Sequence, residues 1–93
     1  MQKEMAYKLF FKALCNSTRL RIIRLLQKES ANVTQICKQL RLEQSYVSHA
    51  LKCLTDCGFV EVKQIGKKRV YSLNKDTIAP MLKLIDRHSK KYY

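Results

Sequence analysis

Two glycines and one proline in 93 residues leave little material for irregular chain. Both residue types punctuate loops, so long connections are not expected and a mostly helical chain is. Tryptophan is absent, and acidic residues number only seven against 19 Lys and Arg, a formal charge of +12. Those seven show no catalytic pairing and no glycine-rich loop is available to cradle a phosphate, which argues against an enzyme. His49 and Cys53 are in reach of one another along a helix, but nothing orients the histidine as a base. No apolar run approaches the roughly 18 residues that a membrane span needs. The opening MQKEMAYKLF has no apolar export core, so a cytoplasmic setting is expected. The four cysteines, at 15, 37, 53 and 57, include no pair with the two-residue gap of zinc ribbons or thioredoxin-like motifs. In a reducing compartment they stay thiols.

What is present is enough for one domain, residues 1–93, small enough that a partner subunit would help to stabilise it. The positive excess fits a phosphate-rich partner. From Gln2 to Leu14, apolar Met5, Leu9, Phe10, Ala13 and Leu14 recur at helical steps. Asn16 is placed to cap a second helix, with Leu20, Ile23 and Leu26 inward, Ile22 and Leu25 flanking, and Arg19, Arg21, Arg24 and Lys28 outward on a solvated face. Thr34 is read as the cap of a third helix over Ile36, Cys37 and Leu40, with Arg41 and Leu42 as the turn. A fourth runs from Glu43 to Cys57 and ends at Gly58.

The period then changes from helical to alternating. Val60 and Val62 share one strand face, Tyr71 and Leu73 repeat the pattern, and Ile65-Gly66-Lys67-Lys68 forms the tip of a hairpin. A last helix is expected from about Ile78 to Lys90, started near Thr77 and Pro80, with RHSKKYY as a frayed tail. The fold class is thus mainly α with a two-stranded β-wing, in the order α-α-α-α-β-β-α, a winged helix-turn-helix.

The fourth helix carries the functional expectation. Val47, Leu51 and Leu54 can face a core, whereas Gln44, Ser45, Tyr46, Ser48, His49 and Lys52 point the other way and offer donors, acceptors and a cation. Such a face on a small basic protein suits base edges in the major groove of double-stranded DNA. Lys67, Lys68 and Arg69 on the hairpin are expected at phosphates or the minor groove. The terminal helices, about 2–14 and 78–90, have little else to cover their apolar residues. Met5, Leu9, Ile78, Met81, Leu82 and Ile85 are therefore expected in a homodimer seam. An alternative is a winged-helix module whose basic surface serves RNA or protein.

At the level of sequence, LFFKALCNSTRLRIIRLL, VTQICKQLRLEQSYVSHALKCLTDCGFVEV and GKKRVYSL resemble the ArsR family of small repressors, over roughly Phe10 to Leu73. The family's own segments read like FKALSDPTRLRIL and ELAEALGLSQSTVSRHLKLLREAGLV. The resemblance implies a homodimer joined by its first and last helices, with two recognition helices in successive major grooves. It places Gln44, Ser45, Ser48 and His49 at positions that commonly meet DNA. Three residues depart from the pattern: Ser17 stands for a proline, Arg41 for the glycine of the turn, and Glu43 for a capping hydroxyl. Arg41 is expected to bear a left-handed conformation that costs about 1 kcal/mol or more.

The resemblance also raises two metal sites. Where one has paired cysteines on the third helix, this chain has Asn32 and Thr34. For the other it offers Asp86 and His88 but no following His-x-x-Glu. Neither set closes a tetrahedral site, so no metal is expected. Spaced four apart, His49, Cys53 and Cys57 share a helix flank and carry donors that suit zinc. The preferred reading instead makes Cys37 and Cys57 small buried residues and Cys53 half-buried. A redox switch or disulfide through Cys15 or Cys53 stays open. Nothing calls for a cofactor or a small-molecule ligand.

Overall fold

A computed structural model describes residues 2–93. Five helices, α1 (Lys3–Leu14), α2 (Ser17–Lys28), α3 (Val33–Leu40), α4 (Gln44–Asp56) and α5 (Ile78–Tyr92), enclose a core that a hairpin, β1 (Val60–Ile65) and β2 (Lys68–Leu73), closes from one side. The architecture is the expected winged helix-turn-helix. Its core draws Ile22, Ile23 and Leu26 from α2, Ile36 from α3, and Val47, Ala50, Leu51 and Leu54 from α4, with Phe59, Tyr71 and Leu73 from the wing. On α2 the stripe is rotated from the expected one. Ile22 is fully buried while Leu20 is exposed, because α2 meets α3 and α4 on one side and the wing on another.

The helix ends explain why the elements stop where they do. Asn16 accepts from the Arg19 amide at 2.9 Å and caps α2 as expected. Thr34 does not cap α3. That role falls to Asn32, whose side chain accepts from the Gln35 amide while the Gln35 side chain accepts from the Asn32 amide, both at 2.9 Å. Arg41 ends α3 at φ 56° and ψ 47°, the left-handed conformation anticipated for it. The Arg21 guanidinium donates to the Leu40 carbonyl across the turn at 2.7 Å.

At the other end of the pair, α4 closes in a Schellman arrangement. Gly58 takes φ 76°, its amide donates to the Thr55 carbonyl (3.1 Å), and the Phe59 amide donates to the Leu54 carbonyl (2.9 Å). Phe59 and Leu54, joined by that bond, are both buried. The recognition turn and the wing base are thereby fixed by the same few residues.

The wing is antiparallel, with Val60 opposite Leu73 and Ile65 opposite Lys68. Its two-residue turn uses Gly66 at φ 62°, while Lys67 keeps a negative φ. Val60 and Val62 share the face read for them, opposite the buried Leu73 and Tyr71, but only Val60 is buried; Val62, nearer the tip, is 36% exposed. A ribbon this short needs support. Reciprocal amide bonds between Ala31 and Tyr71 (3.0 and 2.8 Å) tie it to the segment between α2 and α3. Asn74 closes its base by donating to the Gly58 carbonyl (3.0 Å) and accepting from the amides of Asp76 and Thr77.

Thr77 is the N-cap residue of α5, as expected, but its side chain makes no cap bond; the Ala79 amide of the first turn donates instead to the Asn74 main-chain carbonyl at 3.0 Å. The last residues are not frayed. Helix α5 continues through Tyr92, and the His88 and Tyr92 rings pack at 4.6 Å. Replacement of Arg41 by Gly is expected to raise stability by about 0.5–1 kcal/mol, since only the non-glycine residue bears the left-handed cost. Asn32→Ala is expected to lower it by about 1 kcal/mol. Urea unfolding of both variants checks these two signs.

Candidate nucleic-acid interface

Burial of Val47, Ala50, Leu51 and Leu54 leaves α4 one orientation. Gln44, Ser45, Tyr46, Ser48, His49 and Lys52 are consequently all exposed. The structure thus brings the six expected residues onto one outward surface. Tyr46 is the most prominent of the apolar-bodied residues there, 62% exposed. Lys52 forms an exposed pair with Asp56 at 3.1 Å, an i,i+4 contact of small energetic weight.

The surface continues beyond α4. Gln44 shares a cleft with Val33, Thr34, Cys37 and Lys38, and Thr34 also borders a second cleft, of about 330 Å³, whose far wall is Lys67, Lys68 and Arg69. A continuous path therefore runs from the start of α4 across the start of α3 to the wing tip. Among the described residues none of these three wing cations is paired with a carboxylate. Arg69 stands apart from the two lysines: its guanidinium lies 5.9 Å over the Tyr71 ring, on the strand face rather than at the tip. Thr34 and Gln35 were legible in the sequence only as part of a helix start, because a contact between residues 34 and 68 leaves no local signal.

On the opposite side, the terminal helices divide the six residues expected in a seam. Met5 and Leu9 (50% each) and Ile85 (41%) are exposed, and Met81 is half-buried against the core. Ile78 and Leu82, at 4% and 6%, are used up by the chain's own core and have no surface to offer a partner. Tyr7 and Phe11 are exposed apolar residues of α1 that the periodicity did not single out, and Leu84 and Tyr92 of α5 are exposed as well.

The cysteines are free thiols. Cys15 is exposed, and Cys37 and Cys53 are half-buried. Cys57, expected in the core, is exposed instead: it is the C-cap of α4, outside the apolar stripe. Its thiol nevertheless lies above the ordinary value, chiefly through partial desolvation and then through the neighbouring Cys53; Arg19 acts the other way. Among the described residues no three His, Cys, Asp or Glu side chains are placed to hold one metal ion, His49 with Cys53 and Cys57 included. Also among them, no helix is long and apolar enough to cross a membrane. A raised thiol pKa lowers the thiolate fraction at neutral pH. Site-resolved iodoacetamide labelling should therefore find Cys57 slower than a free cysteine peptide at pH 7.5, with the gap closing as pH rises.

Comparison with known proteins agrees with this geometry. The family model described as "Bacterial regulatory protein, arsR family" matches residues 16–62, which run from the cap of α2 to the middle of the first strand of the wing. A probable mercury resistance operon repressor of Streptomyces lividans is 32% identical over 75 residues, covering 81% of this chain and 60% of its own length. The HTH-type transcriptional regulator NmtR of Mycobacterium tuberculosis is 35% identical over 78 residues, covering 84% and 65%. The chain thus spans less than two thirds of either relative. The crystal structure of M. tuberculosis Rv0081 superposes with a TM-score of 0.85 at 27% identity, over 98% of this chain and 93% of that one. On the matched segment and the identity to these relatives, this chain belongs to the arsR family of bacterial regulatory proteins.

Proposed function

We propose that this chain is a sequence-specific double-stranded DNA-binding transcriptional regulator, a homodimer that represses by occupying its operator. The observation that carries the reading is the division of α4 into a side of 0–5% exposure and an exposed side bearing Ser45, Tyr46, Ser48 and His49. Those four would meet base edges, Gln44 would sit at the groove entrance, and Lys52, Lys67 and Lys68 would hold phosphates. Arg69, drawn toward Tyr71, would contribute charge more than contact.

Pairing of two copies would involve the apolar residues left exposed on α1 and α5: Met5, Leu9, Phe11, Leu84 and Ile85. Two recognition helices would then address half-sites about one helical turn apart. The names of the relatives, a resistance operon repressor and a transcriptional regulator, support the regulatory role. Regulation without the family's usual metal sites belongs to the same proposal. Asp86 is held by the Arg24 guanidinium at 2.8 Å with Gln27 beside it, and the Asn32 oxygen is committed to capping α3. A second reading, in which thiol chemistry modulates binding, is supported by two free thiols, Cys53 and Cys57, one helical turn apart at the end of α4.

Selection of bound sequences from a random duplex pool, with and without reductant and chelator, tests all of these. A symmetric consensus indifferent to chelator is expected; its absence would remove the reading. On the selected duplex, Lys67→Ala with Lys68→Ala should reduce the slope of log K against log salt by about 1.8, equally for operator and random DNA. His49→Ala should instead cost about 1–3 kcal/mol on the operator and little on random duplex.

A further inference from the structure

The sequence assigned Arg19 to a solvated basic face of α2, and the structure assigns it elsewhere. Its Nε donates to the Ala13 carbonyl at 2.7 Å and one Nη to the Lys12 carbonyl at 3.3 Å, so it closes the C-terminal end of α1 from within α2. It is half-buried, and among the described residues no carboxylate is paired with it. A guanidinium carries five N–H donors in a planar fork. The two carbonyls take two of them, which leaves three on a group whose position is already set.

Those remaining donors belong to a residue that lines an open cleft of about 400 Å³. Its walls are Asn16, Thr18 and Arg19 on the α2 side and Ser45, Tyr46, His49 and Ala50 on the α4 side. Three of the base-reading candidates therefore share a groove with Arg19. When the first turns of a recognition helix lie in a major groove, the sugar-phosphate strand that edges the groove runs along the helix flank. The cleft between α2 and α4 lies on that flank. A fork held in place by two backbone carbonyls matches a phosphodiester bidentately, and its rotamer entropy is lost on folding rather than on binding. The hydroxyls of Thr18 and Ser45 lie on either side of the cleft as further donors.

We propose that Arg19 is a phosphate clamp, positioned by the end of α1, that grips the operator backbone beside the bases read by Ser45, Tyr46 and His49. The inference rests on the reading of α4 as the base-contacting helix. It adds a third region of contact, independent of the wing. It also places α1, whose exposed residues the proposed dimer would cover, one residue away from the DNA.

The test measures duplex affinity against salt for wild type, Arg19→Gln and Arg19→Lys, together with a scan of neutral methylphosphonate linkages through the half-site. Arg19→Gln should bind about tenfold more weakly, to operator and random duplex alike, with a slope reduced by about 0.9. One linkage per half-site should weaken wild type by a similar factor and leave Arg19→Gln indifferent. Arg19→Lys keeps the cation without the fork, and covers the case of a Gln variant that does not fold. It should keep the slope, lose affinity a few-fold, and respond less than wild type at that same linkage. If wild type binds while Arg19→Gln keeps its slope, or if wild type and Arg19→Lys respond alike at every linkage, the clamp is overturned and the α4 reading stands. If wild type prefers no duplex, both fall.

Discussion

One packed surface governs the rest of this protein: the apolar side of α4, where Val47 and Leu54 are fully buried and Leu51 is nearly so. Each such side chain contributes about 1.5–3 kcal/mol on burial. A turn of the helix about its axis that moved Ser48 or Lys52 inward would forfeit that burial and desolvate a polar group as well. The outward face therefore has a single presentation. Its far end is locked by Gly58 and by the Phe59 amide reaching back to Leu54. Side chains offered from a helix so fixed need no backbone ordering when they meet a ligand.

The basic residues of α2 show how charge is divided between structure and surface. Arg21 and Arg19 satisfy helix-end carbonyls, and Arg24 holds Asp86 of α5. These three guanidinium groups link α2 to α1, α3 and α5 in turn. Among the described residues the two ion pairs, Arg24–Asp86 and Lys52–Asp56, leave the wing lysines unopposed. The unopposed wing lysines and the chain's net charge of +12 give the molecule a positive field, part of it at the border where α4, the start of α3 and the wing tip meet. Such a field steers a polyanion toward the surface before any specific contact forms.

Much of this was legible from local pattern. The four-residue repeats fixed the helices, Gly58 and Gly66 marked the two turns that need a positive φ, and Arg41 announced its own strain. Asn32 was legible too, since Asn-x-x-Gln is a capping box, yet Thr34 is the more conspicuous hydroxyl. What local pattern does not carry is which neighbour an apolar face meets. Ile78 and Leu82 share their periodicity with Ile85, but the first two lie over the core and the third beyond it. The same holds for Arg19, whose environment is made by the end of another helix, so only the folded chain reveals it.

The central claim is that one side of α4, extended toward the wing, is the surface that meets DNA. Amide NMR of the labelled protein titrated with a selected operator duplex tests it directly. The account predicts that shifts and broadening concentrate on residues 44–52, 34–35 and 66–69, with α5 little affected beyond its ends. Perturbation confined to α1 and α5, with the exposed face of α4 unchanged, would contradict it.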